Sequence, residues 1–341
     1  MTDMLPREAN LLITWRCNLS CRHCTVYSCG NSYRDMSLEE IGRVLNKLVD
    51  SKVMRITVTG GEPLVREDFA EVWREVYKRP FRVSLNTNGT LFTDRNLDII
   101  AAALPRLESI MVSLDGADEE TVDALRGEGT FRMLASSLEN LRSRGLRPVF
   151  FCTITSLNSS VDQIDSILSY AARYAGKIKL NTILRSGPGI GSDLVPEPSA
   201  LLKLAEHIPE FRRRHRIEID GSLPQMHERL AGEKRGNWPS FSCGAPVTRV
   251  AVFPDGSVTP CDHLPSMVMG NLLDESLHDI LQGDVARSFR KTVRRGVRDL
   301  PECADCQYRQ RCTVGCPLYA FCDDCSDIRH PPSCLRILCD E

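Results

Sequence analysis

The 341-residue chain lacks a secretory signal peptide, and none of its apolar runs approaches the about 18 residues that a transmembrane helix needs. It also lacks an excess of charge, because 43 basic and 45 acidic residues leave a formal net charge of −2. Such a balance gives no reason to expect a nucleic-acid or membrane partner. These absences predict a cytoplasmic protein, and 42% hydrophobic residues suffice for a sizeable core.

A disulfide framework is not favoured either, although the chain contains 15 cysteines. Without a secretory signal, cysteines serve as metal ligands more often than as disulfides. Four of them lie between residues 17 and 29, ten lie from residue 243 onward, and Cys152 alone falls between the two groups. This uneven placement predicts iron–sulfur sites in both regions, with zinc and disulfides as the weaker alternatives.

Short strand-like runs alternate with amphipathic helical patterns from residue 11 to about residue 185. The strand candidates are Leu11–Thr14, Arg55–Thr59, Arg82–Asn86, Ile110–Leu114, Val149–Thr155 and Lys177–Ile183. Apolar runs of this length are typical of parallel strands that are buried on both faces. Six such units predict an α/β fold, a partial (β/α)6 TIM-like barrel, with functional residues at the carboxyl ends of the strands.

Helix boundaries are visible at several places in the barrel region. Ser37 and Glu40 form a predicted capping box before an apolar stripe. Thr130 is the predicted cap of a later helix, which Gly145 is expected to end.

Three regions follow from the change in pattern along the chain. We predict the barrel over residues 1–190, a helical bridging region over 191–240, and a small cysteine-rich domain over 241–341. The last region has little apolar periodicity beyond one helix near Leu277–Phe289, so we expect it to need metal in order to fold.

Three cysteines, Cys17, Cys21 and Cys24, stand as Cys-x3-Cys-x2-Cys just after the first predicted strand. Clusters of the 4Fe–4S type are normally held by four cysteines, so a set of three predicts one iron with an open coordination site. That iron could bind a ligand through an amino and a carboxylate group. A structural zinc loop is the alternative, but zinc sites close with four ligands. Cys29 is available as a fourth ligand, although we expect it to be free.

This spacing resembles the signature of the radical S-adenosylmethionine (SAM) enzymes, and further segments follow the later strands as they do in that family. In the family, the open iron chelates the methionine part of SAM, and an electron from the cluster cleaves SAM to a 5′-deoxyadenosyl radical. The resemblance implies that the SAM-binding residues are His23, Gly60, Gly61, Glu62, Pro63, Asn88, Ser113, Asp115 and Arg126.

The resemblance also implies individual roles. The backbone of the segment Gly60–Pro63, or the side chain of Glu62, would orient the SAM amino group, and its glycines would permit close approach to the ligand. Arg126 lies in a stretch similar to one that supplies a carboxylate-binding arginine. His23 stands where the family usually has an aromatic residue beside the adenine, which is a mild departure.

The later cysteines resemble the SPASM extension of radical SAM enzymes. Cys243 and Cys261 stand in a Cys-x12-Gly-x4-Cys pattern, and a Cys-x2-Cys-x5-Cys-x3-Cys pattern follows from residue 303. The resemblance implies two auxiliary clusters, and thus three 4Fe–4S clusters in all. The outer cluster would be held by Cys303, Cys306, Cys312 and Cys334, and the inner one by Cys243, Cys261 and Cys316. An open iron and an unidentified fourth ligand are both compatible with the inner set. Three further cysteines exceed the motif and could be a ligand pair or spare thiols: Cys322, Cys325 and Cys339.

Asp262 follows Cys261 directly and resembles the aspartate that sulfatase-maturing members use as a base. After a hydrogen atom leaves a carbon, loss of a proton and an electron gives an oxidised product, and a carboxylate can accept that proton. A turn aspartate is the structural alternative, and His263 is a rival base. Cys152 could donate a hydrogen atom, as an epimerase would require, if it faced the barrel interior; a core cysteine is commoner.

The resemblance implies an oxidoreductase that receives electrons from reduced flavodoxin or ferredoxin. We expect it to dehydrogenate, crosslink or functionalise a C–H bond of a peptide or natural-product precursor. Only sixteen residues precede Cys17, with no room for a fused peptide-binding domain. A small-molecule dehydrogenase or epimerase acting on an aminocyclitol, a sugar or a tetrapyrrole is therefore the alternative. A non-catalytic iron–sulfur electron-transfer protein would not need the Gly60–Pro63 segment.

Overall fold

The structure, a computed structural model, describes residues 5–26, 34–184, 192–230, 244–295 and 304–305. Its strands are β1 Glu8–Leu12, β2 Arg55–Thr59, β3 Arg82–Thr87, β4 Leu107–Ser113, β5 Val149–Ile154, β6 Lys177–Thr182, β7 Glu218–Asp220, β8 Arg249–Val252, β9 Ser257–Thr259 and β10 Gly270–Asn271. Its helices are α1 Leu38–Asp50, α2 Phe69–Tyr77, α3 Asp94–Ala101, α4 Glu119–Arg126, α5 Thr130–Ser143, α6 Val161–Ala171, α7 Pro198–Arg214, α8 Ser222–Leu230, α9 Leu277–Gln282 and α10 Asp284–Arg295. None of these helices is long and apolar enough to cross a membrane.

All the described strands belong to one sheet, in the order β10-β9-β8-β1-β2-β3-β4-β5-β6-β7. Strands β1 to β7 pair in parallel with their neighbours in sequence, which confirms the six predicted β/α units and the partial barrel. Strand β7 was not predicted. Strand β8 pairs in parallel with β1 and antiparallel with β9, so the sheet continues across the boundary predicted at residue 241.

Side chains on each strand alternate between two different surroundings. One set packs against the helices and forms the main core, including Ile56, Val83, Phe150 and Ile178, all 0% exposed. We call the opposite face of the sheet the inner face. It carries mainly polar residues on β1 to β6: Asn10, Thr57, Ser84, Met111, Phe151 and Lys179. In a partial barrel this is the face that encloses the space beneath the strands' carboxyl ends.

Ion pairs connect the amino-terminal ends of four strands on this inner face. Arg249 contacts Glu8 at 2.8 Å, and Arg55 contacts Glu8 at 3.3 Å and Glu108 at 3.2 Å. Glu108 is the extra residue of an irregularity in the pairing of β3 with β4. Each such pair contributes little alone because it is partly exposed, but together they leave these four charges paired within the protein.

Two of the predicted helix boundaries need correction, and one is confirmed. The capping box of Ser37 and Glu40 is present at the start of α1. Thr130 is not a cap; Gly129 occupies the cap position with a φ of 77°, a conformation that glycine adopts without strain. The single helix predicted near residues 277–289 is two helices, because Gly283 ends α9 in an extended conformation.

Candidate functional site

Cys17, Cys21 and Cys24 lie in the loop after β1, at the carboxyl edge of the sheet, and all three are half-buried. Burial raises the pKa of Cys17 to about 11, and the neighbouring Cys21 and Cys24 contribute to the rise. Three thiolates so close together need cations to remain ionised. The loop therefore offers three cysteine sulfurs as candidate ligands of one metal centre.

The segment Gly60–Pro63 runs directly against this cysteine-bearing loop. The Gly61 amide donates to the carbonyl oxygen of Thr14 at 2.8 Å, and the Glu62 amide donates to that of Arg16 at 2.8 Å. A Cβ atom on Gly60 would lie 2.5 Å from the Thr14 oxygen, and one on Gly61 would lie 2.3 Å from the Arg16 oxygen. The close approach that the glycines permit here is to the protein's own loop, and an approach to SAM remains a prediction.

We expect Gly61→Ala to disrupt the cysteine loop. Its methyl group would overlap the backbone of Arg16, which cannot rotate away as a side chain could. The expected cost is about 3 kcal/mol in the free energy of unfolding, together with loss of iron from the purified protein. Gly176→Ala is the matched control, because a Cβ atom there meets no atom within 4 Å. Anaerobic thermal unfolding and iron analysis check this, and a Gly61→Ala protein with the stability and iron of the control would contradict it.

Glu62 joins the loops that follow β2 and β3 and is fully buried. Its Oε1 accepts hydrogen bonds from the Leu64 amide at 3.1 Å and the Thr87 hydroxyl at 2.8 Å, and its Oε2 accepts one from the Asn88 amide at 2.7 Å. Burial raises the pKa of Glu62 to about 7, against these hydrogen bonds. Because the carboxyl group is engaged within the protein, the backbone of Gly60–Pro63 is the better candidate for a contact with SAM. Pro63 begins a short 3-10 turn.

A buried ion pair that the sequence did not reveal lies beside the triad. Arg126 Nε and Nη2 contact Asp115 Oδ2 at 2.7 and 2.5 Å, and His23 Nε2 lies 3.2 Å from the same oxygen. Burial opposes ionisation of Asp115, but Arg126 and His23 hold its pKa well below its usual range. Arg126 Nη1 lies 3.7 Å from Cys21 Sγ. Three predicted SAM-binding residues therefore form one network that ends on a predicted cluster ligand.

The two other predicted SAM-binding residues lie at the ends of neighbouring strands. Asn88 is buried, and its Nδ2 donates to Asn18 Oδ1 at 2.9 Å and lies 4.0 Å from Cys17 Sγ. Ser113 is the last residue of β4 and is half-buried. The structure thus brings Asn88 to the triad, while Ser113 lies two residues before Asp115.

Arg66 is a further residue at this site that the sequence analysis missed. It is 6% exposed, and its guanidinium donates to the carbonyl oxygens of Ile13 at 2.6 Å and Met36 at 2.7 Å. It also pairs with Asp68 at 2.6 Å. Ile13 precedes the cysteine-bearing loop and Met36 follows it, so Arg66 fixes both ends of that loop. The sequence feature that could have identified it is its position, three residues after Pro63 of the predicted SAM-binding segment.

A second group of candidate ligands consists of Cys261, Asp262 and His263, whose donor atoms all lie within 4.8 Å of one another. Cys261 Sγ donates to Asp262 Oδ1 at 3.3 Å, and Asn10 on the inner face of β1 hydrogen-bonds the same carboxylate. Burial opposes ionisation of Asp262, but His263, Cys261 and Asn10 hold its pKa below the usual value. His263 Nδ1 lies 2.7 Å from the hydroxyl of Thr25, which follows the triad. The two groups of ligands are therefore neighbours.

The remaining cysteines divide into one buried residue and several that the structure does not describe. Cys152 is 0% exposed and belongs to the core between the sheet and the helices, so it does not face the barrel interior as a hydrogen-atom donor would. The other predicted cluster ligands lie outside the described residues: Cys243, Cys303, Cys306, Cys312, Cys316 and Cys334. The same is true of Cys29, Cys322, Cys325 and Cys339.

Two family models match the chain. The Radical SAM superfamily model matches residues 11–171, and the SPASM model, an iron–sulfur cluster-binding domain, matches residues 243–307. Together these matches include the loop with the triad, the strands that carry the predicted SAM site, and the second ligand group.

Several proteins are similar over most of the chain. The mycofactocin maturase MftC of Mycolicibacterium smegmatis is 28% identical over 326 residues, which cover 92% of this chain and 80% of that protein. The antilisterial bacteriocin subtilosin biosynthesis protein AlbA of Bacillus subtilis is 24% identical over 336 residues, 94% of this chain and 67% of AlbA. The AdoMet-dependent heme synthase of Methanosarcina barkeri is 26% identical over 353 residues, 96% of this chain and 97% of that protein.

The fold is shared with a solved structure of low sequence identity. Native anSMEcpe with bound AdoMet superimposes with a TM-score of 0.77 at 19% identity, covering 98% of this chain and 96% of that one. The likeness shows the fold alone.

Proposed function

This chain belongs to the radical SAM superfamily and carries a SPASM domain, and from that premise we propose that it is an oxidoreductase that modifies a peptide precursor. As a member of that superfamily it is an enzyme that uses SAM and iron–sulfur clusters. The observation that carries the proposal is the triad of Cys17, Cys21 and Cys24, held against Gly60–Pro63 and contacted by Arg126. When bound, the cluster on this triad supplies the electron that cleaves SAM to a radical able to remove a hydrogen atom from carbon.

Different residues around the triad are assigned to different groups of SAM. We assign the amino group of SAM to the backbone of Gly60–Pro63, since the Glu62 carboxyl group is engaged elsewhere. Arg126 remains able to attract a carboxylate, because its Nη1 faces Cys21 while its other nitrogens contact Asp115. His23 and Asp115 hold that guanidinium in place. Asn88 and Ser113 would line the ribose side.

Asp262 is the proposed base. Its carboxylate is ionised at neutral pH because its pKa is lowered, and it lies beside Cys261, a predicted ligand of the inner auxiliary cluster. Asp262 would accept the proton that a substrate loses on oxidation, and Cys261 would help to hold a cluster able to accept the accompanying electron. We propose two auxiliary 4Fe–4S clusters, three clusters in total, and reduced flavodoxin or ferredoxin as the electron donor.

A peptide precursor is favoured as substrate by two of the relatives. One is a maturase, and the other acts in the biosynthesis of a bacteriocin. Both matches span more than nine tenths of this chain. The modification would then be a dehydrogenation, a crosslink or another C–H functionalisation of that peptide.

A tetrapyrrole-modifying enzyme is the second candidate, because the match to the AdoMet-dependent heme synthase covers 97% of that protein. A porphyrin titration of the anaerobic holoenzyme separates the two candidates. A saturable shift of the porphyrin absorption at one equivalent per chain would favour the tetrapyrrole, and an unshifted spectrum would favour the peptide.

Anaerobic reconstitution tests the proposed function itself. We expect about twelve irons per chain, as three clusters of the 4Fe–4S type require. With dithionite and SAM, the reconstituted protein should produce 5′-deoxyadenosine and methionine. A protein that binds zinc only, or that holds its irons and does not cleave SAM, would contradict the proposal.

A further inference from the structure

On the inner face of strands β1 to β7, all charged side chains except two form ion pairs. The ion pairs of Arg55 and Arg249 with Glu8 and Glu108 were described above. On the other side of the barrel, Lys177 contacts Glu218 at 2.7 Å and Asp220 at 3.2 Å, two acidic residues on neighbouring β7. The remaining cations on this face of β1 to β7 are Arg82, exposed at the amino-terminal edge, and Lys179.

Lys179 lies in the middle of β6, half-buried on the inner face. Among the residues that the structure describes, its ammonium makes no hydrogen bond or ion pair. The charge of Lys179 helps to lower the pKa of Asp220. The Asp220 carboxylate, however, already contacts Lys177 and accepts a hydrogen bond from the Gly221 amide at 2.8 Å. The ammonium of Lys179 is therefore available to a ligand that enters the barrel interior.

Two neighbours of Lys179 indicate what kind of ligand this is. Asn181 follows on the same face of β6. Its Oδ1 accepts a hydrogen bond from the Ser222 amide at 3.1 Å, and its Nδ2 has no hydrogen-bond partner among the described residues. Phe151 is paired with Lys179 across β5 and β6 and is 37% exposed. An ammonium, a free amide donor and an open aromatic ring together suit a carboxylate attached to an apolar carbon chain.

The position of this group connects it to the proposed reaction site. Thr153 follows Phe151 on the inner face of β5, and its amide donates to Asp115 Oδ1 at 2.7 Å. Asp115 in turn contacts Arg126 beside Cys21. Lys179 therefore lies two residues, about 6–7 Å along the strands, further from the carboxyl ends of the strands than the residues that adjoin the predicted SAM site. The carboxylate of SAM is assigned to Arg126 beside the triad, so Lys179 is left for the substrate.

We propose that Lys179 and Asn181 bind a carboxylate of the substrate, with Phe151 against the carbon atoms that bear it. The inference rests on the proposed function, because it supposes a substrate in the barrel interior. For a peptide, the carboxylate is either an acidic side chain or a free carboxyl terminus. A charge-assisted contact of this kind strengthens binding by about tenfold or more.

Affinity selection with short random peptides tests the subsite without turnover. Immobilised anaerobic holoenzyme with SAM is offered two N-acetylated pools, one with amidated and one with free carboxyl termini, and retained peptides are sequenced by mass spectrometry. Lys179→Met and Lys179→Gln are compared with wild type, and Lys177→Met is the matched control, since its ammonium is already paired. Only variants with wild-type iron content and unfolding temperature enter the comparison.

We expect wild type and Lys177→Met to retain acidic peptides about tenfold better than either Lys179 variant does. Enrichment of Asp and Glu within the amidated pool would assign the subsite to a side chain, and preference for the free-acid pool would assign it to the carboxyl terminus. The proposal is overturned if wild type shows no preference for acidic peptides. It is also overturned if that preference survives in both Lys179 variants or is lost in Lys177→Met. SAM cleavage by wild type is measured separately, so a failure of the proposed function is distinguishable.

Discussion

Replacing Cys21 with alanine is expected to abolish reductive cleavage of SAM. Two protein thiolates do not hold a 4Fe–4S cluster, so iron should fall from about twelve to about eight per chain while the auxiliary clusters remain. Cys21 is the most informative of the three, because Arg126 Nη1 lies 3.7 Å from its sulfur. Chromatographic measurement of 5′-deoxyadenosine after dithionite reduction gives the result directly, and Cys17→Ala and Cys24→Ala should behave in the same way.

Cys152→Ala is the matched control for this experiment. Its thiol is buried in the core behind β5, so its loss should leave the irons and SAM cleavage unchanged at a cost of about 1 kcal/mol in stability. If Cys21→Ala still produced 5′-deoxyadenosine at the rate of Cys152→Ala, the triad would have no part in the reaction. Persistence of all twelve irons in Cys21→Ala would likewise contradict the assigned cluster.

The barrel strands could be predicted because their signal is local. Runs such as residues 55–59 alternate with helical patterns, and the structure places strands there within a few residues of the expected ends. Strand β7 has only three residues, too few for a pattern. Strand β8 was missed because the cysteines around it suggested a separate domain, and its pairing with β1 joins residues that are more than 200 positions apart.

Some features of the site depend on residues that are close in sequence, and others depend on residues that are far apart. The spacing of the triad is local, so the sequence identifies these cysteines as ligands. The network of Asp115, Arg126 and His23 joins two loops and the end of helix α4. The hydrogen bonds of Arg66 reach residues on both sides of the cysteine-bearing loop, so neither feature is visible in a sequence pattern. The orientation of Cys152 was accessible, because Phe150 and Ile154 share its face and are apolar.

Asp262→Asn is expected to lower product formation by about 10²–10⁴-fold while SAM cleavage continues. Asparagine retains the shape of the side chain and can still contact Asn10, but it cannot accept a proton from a substrate radical. The expected signature is therefore a changed ratio, with 5′-deoxyadenosine formed and little oxidised peptide. Mass spectrometry of a peptide selected by the wild-type holoenzyme, with 5′-deoxyadenosine measured in the same samples, gives that ratio.

His263→Gln separates the two possible bases. His263 contacts the Thr25 hydroxyl at 2.7 Å, and glutamine can preserve a hydrogen bond there without serving as a base. If Asp262 is the base, His263→Gln keeps most of the wild-type ratio of product to 5′-deoxyadenosine, and Asp262→Asn loses it. The reverse result would transfer the role to His263. Equal ratios in both variants and the wild type would remove this pair from proton transfer and leave Asp262 with a structural role through its hydrogen bond with Asn10.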